Sequence, residues 1–225
     1  MKEEISQRLA KAVQVYSNNT VLRVIVNAIP YIGGSLDVLL WGRGHRIAQE
    51  RLKSLLEQLQ TDMGTLNENM IDRTFIESEE WFDLVVKTLE SAARTRDSEK
   101  IRLYSRILRN SVIRRKRETY SPEEYLTILA ELTPREVELA KAIYAQQSDN
   151  PKENENELQW ATRKGWGNLA AESGLDEKDV IFLLKRLERT GLIREVTGFY
   201  LGYEGGKYVI TEAFRKLMDY LEKEP

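Results

Sequence analysis

The sequence predicts a mainly α fold with one small β-hairpin near its C-terminal end. Three observations lead there. Apolar residues recur at helical spacing through the first 120 positions. Residues 168–196, NLAAESGLDEKDVIFLLKRLERTGLIREV, read as a short helix, a tight turn, a longer helix and the start of a strand. A Gly- and Tyr-rich loop, Gly198 to Gly206, then leads into Lys207-Tyr208-Val209-Ile210, a return strand. At 225 residues the chain is long enough for two compact domains, each with an ordinary core.

The N-terminal part, residues 1–120, reads as an all-helical domain. Ile5, Leu9, Ala12, Val13 and Tyr16 share one face of an opening helix, interrupted at Asn18-Asn19. Thr20 caps a short apolar helix from Val21 to Ile29 that ends at Pro30. Ile32-Gly33-Gly34 makes a sharp turn, and Ser35 caps the run Leu36 to Trp41. Beyond Arg43, Ile47, Leu52, Leu55, Leu56 and Leu59 mark a longer amphipathic helix. Ser78-Glu79-Glu80 starts a helix carrying Trp81, Phe82, Val85, Val86 and Leu89. Asp97-Ser98-Glu99 opens another, with Ile101, Leu103, Tyr104, Ile107, Leu108 and Val112.

The second domain is expected over residues 121–225. Ser121-Pro122-Glu123-Glu124 and Thr133-Pro134-Arg135-Glu136 each start a helix with Pro in the first turn. Gln147 to Leu158, QSDNPKENENEL, is polar and acidic, has little to bury, and is expected to be an exposed insertion. Ser173-Gly174 breaks the next helix, and Asp176 caps the following one. Val180, Leu183, Leu184 and Leu187 form its apolar face, and Gly191 stops it. Leu192 to Val196 begins a strand, and Thr211 caps a last helix through Leu221. This order, with RLERTGLI followed by a hairpin and VIT, resembles a winged helix-turn-helix domain. The resemblance covers the last third to two-fifths of the chain. It implies a three-helix core with a β-hairpin wing; such domains bind nucleic acid, mediate dimerisation, or contact protein. Separately, AIPYIGGSLDVLL and SAARTRDSEKIRLYSRILRNSV are similar to stretches in poorly characterised bacterial helical proteins, some linked to phage defence. That similarity names no activity and supplies no catalytic residues.

Composition narrows the chemistry. There are no cysteines, which excludes disulfides, a thiolate nucleophile and Cys-based zinc ligation. A single His excludes a His-clustered site. MKEEISQRLAKAV has no apolar core or cleavage motif, so no signal peptide is expected and the chain reads as cytoplasmic. Residues 1–120 hold 20 Lys and Arg against 16 Asp and Glu, a net +4. Residues 121–225 hold 14 against 20, a net −6, and together these give the chain's −2. The candidate nucleic-acid domain therefore sits in the acidic half, although phosphate recognition calls for a basic face.

Several sites follow from these patterns. A recognition helix places its early residues in the major groove. Here those are Asp176, Glu177, Lys178 and Asp179. Lys178, Lys185, Arg186 and Arg189, with Arg163, Lys164 and Lys207, are the candidate nucleic-acid contacts; the bland alternative is a solvated helix face. The run Arg114-Arg115-Lys116-Arg117 is a second candidate anion contact, or simply cations at a helix C-terminus complementing its dipole. Val21 to Trp41 is apolar, but Arg23, Asn27, Pro30, Gly33-Gly34 and Asp37 divide it into pieces too short to span a bilayer. A packed helical hairpin is the expectation, with membrane contact only on activation as the alternative. Gly33-Gly34 and Gly42-Arg43-Gly44 precede helices without P-loop or dinucleotide spacing, so packing or capping explains them better. Glu77, Glu79, Glu80 and Asp83 gather where a helix start favours acids, and His45 has no partner at a diagnostic spacing. No catalytic residue, cofactor site or metal site is assigned, and the chain is expected not to be an enzyme.

Two functional readings result. The first is a winged-helix regulatory protein that binds DNA through the second helix of its helix-turn-helix, with the helical domain serving self-association or sensing a protein partner. The second is a bacterial defence-type interaction or effector protein. There the winged helix contacts protein, and the apolar N-terminal hairpin mediates assembly or membrane action.

Overall fold

A computed structural model describes residues 21–22, 24–25, 43–114, 120–147, 152–164, 169, 174–197, 202 and 205–222. The architecture is mainly helical, with one two-stranded antiparallel ladder towards the C-terminus. The chain divides into two units, Met1–Ala130 with Lys223–Pro225, and Glu131–Glu222.

The first unit is built on α1 (Arg43–Met63), α3 (Glu79–Arg94) and α4 (Ser98–Ser111), which pack on one another. A short 3-10 turn (Glu68–Met70) and α2 (Arg73–Ile76) link α1 to α3, and α5 (Pro122–Glu131) ends the unit. Each start is satisfied locally. The Asp72 carboxylate accepts from Phe75 N–H, and Ser78 Oγ accepts from Trp81 N–H at 3.1 Å. Asp97 accepts from the N–H groups of Glu99 and Lys100. Ser121 and Glu124 exchange backbone-to-side-chain bonds at 2.6 and 3.2 Å, a reciprocal cap of α5. The core holds Leu52, Leu55, Leu59, Trp81, Val85, Leu89, Tyr104, Ile107 and Leu108. Burial, then the charge of Asp97, pushes the Tyr104 phenol above its ordinary range. A single bridge between Ile71 and Ile113 clamps the connector against the end of α4, with Asp72 N–H donating to the Val112 carbonyl at 2.8 Å. Lys87 pairs with Glu123, and Lys100 Nζ donates to the Ala130 carbonyl at 3.1 Å; these tie α5 to α3 and α4.

One expectation for α1 fails. Ile47, expected on its apolar face, is 45% exposed. The buried register runs Ala48, Leu52, Leu55, Leu59. Ile47 lies about 100° of helix rotation away from Ala48, beside Arg51 and Ser54.

The second unit contains α6 (Pro134–Gln146), α7 (Glu157–Lys164), α8 (Glu177–Arg189), β1 (Ile193–Glu195), β2 (Tyr208–Ile210) and α9 (Glu212–Glu222). Thr133 and Glu136 form a full capping box on α6. Asp176 caps α8 through Lys178 N–H, and Thr211 Oγ1 caps α9 through Phe214 N–H. Gly174 (φ +64°) precedes α8 and Gly191 (φ +76°) ends it; both hold the left-handed conformation that a side chain disfavours. Leu169 is helical and buried. The strands pair with Ile193 opposite Ile210 and Glu195 opposite Tyr208.

Both outer edges of this short ladder are closed by side chains. The buried Gln147 carboxamide donates to the Tyr208 carbonyl at 3.0 Å and accepts from Ile210 N–H at 2.9 Å, so it stands in for a third strand. Glu188 Oε1 accepts from Glu195 N–H at 3.0 Å on the other edge. This corrects the expectation that Gln147 belongs to the exposed loop, whereas Lys152, Glu153, Asn154 and Asn156 are exposed as expected. A carboxamide is both donor and acceptor, and it can be buried at a strand edge at no loss of hydrogen bonds. The acidic stretch also ends earlier than expected, because Glu157 and Leu158 already belong to α7.

Expectations for the opening helix, for most of the 21–41 hairpin with Pro30 and Gly33-Gly34, and for most of the Gly198–Gly206 loop lie outside the described residues. Val21, Leu22 and Ile25 are buried.

Candidate functional site

The sequence concentrates its candidate contacts on α8. Val180, Leu183, Leu184 and Leu187 are buried and share one side of the helix. That face packs on α6 and β1. At about 100° per residue the opposite side carries Lys178, Ile181, Phe182, Lys185 and Arg189. All five are exposed, with Ile181 at 59% and Phe182 at 61%.

The structure separates the cations predicted to act together. Lys185 Nζ lies 2.7 Å from Glu195 and 3.3 Å from Glu188, and 5.2 Å from the centre of the Tyr208 ring. The hydrogen bond to Glu195 comes first among the causes that raise the Lys185 ammonium above its ordinary range. The Gly206 N–H and then Lys185 hold the Glu195 carboxyl below the usual carboxylate value. Arg186 is committed differently. Its guanidinium donates to both oxygens of Glu136, at 2.7 and 3.3 Å, joining α8 to the first turn of α6. The Glu136 side chain is only 2% exposed. Burial pushes its carboxyl up, but hydrogen bonds from Thr133 and then Arg186 outweigh this and hold it below the ordinary value.

Lys178 and Arg189 are left. Both are exposed, and neither makes a side-chain ion pair among the described residues. Asp179 faces Arg135 at 3.7 Å. Lys207 is half-buried. Arg163 and Lys164 lie on α7, whose side chains at those positions are outside the described residues, as are Arg115, Lys116 and Arg117. Arg114 is exposed, and its N–H donates to the Met70 carbonyl at 2.7 Å. Glu77, Glu79, Glu80 and Asp83 are exposed around the start of α3.

The pair that sets this site apart, Ile181 and Phe182, was not among the sequence-predicted residues. A signal was present: Val180-Ile181-Phe182-Leu183-Leu184 is five apolar residues in a row. One face of a helix cannot bury such a run, so part of it turns outward unless a second neighbour covers it. Arg186 lies 6.0 Å from the Phe182 ring centre and helps hold it in place.

Two hollows in the first unit are less informative. One of about 410 Å³ has a mixed lining, with Val21, Met63, Leu66 and Ile76 beside Glu68, Arg73 and Glu77. The other, about 330 Å³, is lined by Arg51, Arg96, Arg102 and Glu50, with Arg102 forked onto Glu99. Among the described residues no group of acids and His could hold a metal ion, and no helix is long and apolar enough to cross a membrane.

Residues 48–224 match the family model described as abortive infection alpha. No curated protein and no solved structure matches the chain.

Proposed function

Because the chain belongs to the abortive infection alpha family, we propose that it is a phage-defence protein that acts by binding another protein through the solvent face of α8. On this reading the second unit is a winged-helix scaffold used for protein contact, non-enzymatic and cytoplasmic. One observation carries the reading: Ile181 and Phe182 stand in solvent on α8, which on the winged-helix reading would be the recognition helix.

A helix made for duplex DNA needs cations able to reach phosphates. Of the four cations on α8, Lys185 and Arg186 are held by carboxylates of the same unit, which favours the protein reading over the DNA reading. Aromatic residues are enriched at the centres of protein interfaces, where they exclude water from a small patch. The apolar N-terminal stretch adds no support to either reading, since most of it lies outside the described residues.

The test uses the full chain expressed in phage-challenged bacteria. Ile181→Ser with Phe182→Ser should abolish protection in a plaque assay while leaving the circular dichroism spectrum and unfolding midpoint unchanged. Full protection by this variant would sink the reading. In parallel, anisotropy of labelled random duplex DNA should show little binding at moderate salt. Tight binding that weakens steeply with salt would favour a DNA-binding regulator instead.

A further inference from the structure

The face of α8 also specifies the chemistry of what covers it, a deduction that rests on the protein-contact reading above. Ile181 and Phe182 sit between two cations that make no ion pair among the described residues, Lys178 and Arg189. With a rise of about 1.5 Å per residue, these cations are roughly 16 Å apart along the helix. The apolar pair is about one turn from Lys178 and two turns from Arg189. We propose that the partner is an acidic amphipathic segment of a different protein, with apolar side chains seated on Ile181 and Phe182 and carboxylates facing Lys178 and Arg189.

Three alternatives fit this face less well. A second copy of the chain would meet it through a two-fold axis. If the two α8 helices ran antiparallel about the apolar pair, Lys178 would face Lys185 or Arg189 of the other copy. If they ran parallel, each cation would face its own equivalent. Either arrangement buries like charges beside the apolar contact, which opposes association. A bilayer surface attracts cations, but interfacial binding scales with buried apolar area, and two side chains present little of it. Duplex DNA would bring phosphates towards Asp176 at the head of the helix, beside an exposed Phe that no phosphate can satisfy. An acidic segment meets both cations and covers both apolar groups. Glu188 and Glu195, the acids nearest Lys185, are both drawn onto its ammonium.

The experiment places a photocrosslinking phenylalanine analogue at position 182 of the full chain in bacteria, with and without phage. The adduct is mapped to its residue. The expected result is an adduct on a different protein, within a segment whose apolar residues are flanked by Asp or Glu. Lys178→Glu with Arg189→Glu should cut the adduct yield tenfold or more without altering the circular dichroism spectrum, and changing the partner's acids to Lys should restore it. An adduct on a basic or neutral segment, or a yield unaffected by the charge reversal, overturns this inference and leaves the protein-contact reading standing. An adduct on nucleic acid, on lipid or on a second copy, or none under either condition, overturns both.

Discussion

Helices α4 and α8 are alike in length and cap and opposites in use. They span 14 and 13 residues, and each is capped by an aspartate. On α4 every apolar residue is buried, and Lys100, Arg109 and Asn110 are drawn in with them. On α8 the apolar residues outnumber the positions the fold can cover, so Ile181 and Phe182 stay in water. The cations differ in the same way. Lys100 is buried and donates to the Ala130 carbonyl, which makes it part of the architecture. Lys178 and Arg189 lie exposed beside the apolar pair. The contrast teaches that amphipathic pattern alone marks a buried face, whereas apolar residues beyond what that face can hold stay in water, where the reading proposed above gives them a partner.

This contrast can be attacked in order of expected effect. Ile107→Ala, on α4, removes a fully buried side chain and should cost about 3 kcal/mol of stability in a denaturant titration. A cost near zero would mean that α4 is not packed as described. Gln147→Leu keeps the bulk but strips the edge of β2 of two hydrogen bonds, and should cost the second unit about 2 kcal/mol by thermal unfolding. Arg186→Leu leaves the buried Glu136 without its fork, and a similar or slightly smaller loss, about 1–2 kcal/mol, is expected at neutral pH. That penalty depends on pH with a definite sign. The Glu136 carboxyl is held below its ordinary value of 4.5, so the stabilisation is present above that value and is lost as pH falls through the lower folded-state value. The difference between Arg186→Leu and the parent should therefore shrink in acid; a constant difference would show that Glu136 is not the partner that matters. Phe182→Ser should change stability by less than about 0.5 kcal/mol, because its ring is mostly in water. A large loss of stability from this variant would erase the distinction between the two helices.

Much of the fold was legible in the residues. Ser78, Asp97, Ser121, Thr133, Asp176 and Thr211 all start helices where their side chains suggest, because a cap is a local bond between neighbours in sequence. Gly174 and Gly191 punctuate α8 for an equally local reason, a backbone angle that other residues avoid. The site was less legible. Lys185 and Arg186 look like solvated cations in sequence, and nothing local says that Glu195 lies 2.7 Å from one and Glu136 2.7 Å from the other. Arg186 and Glu136 are fifty positions apart. Ile47 was placed on the wrong face because it is next in sequence to the true one.

Taken by itself, the sequence determined where six of the helices start, though not α2 or α7, that a small hairpin lies between the last two helices, and that thiol and multi-histidine chemistry is excluded. Each of these depends on residue type or on spacing within a few positions. Only the tertiary structure decided which cations of α8 are spent and which are free, that Gln147 completes the hairpin instead of lying in a loop, and that Ile181 and Phe182 face outward. Those outcomes depend on which distant groups the chain brings within hydrogen-bond reach, and on how much of a helix its neighbours can cover.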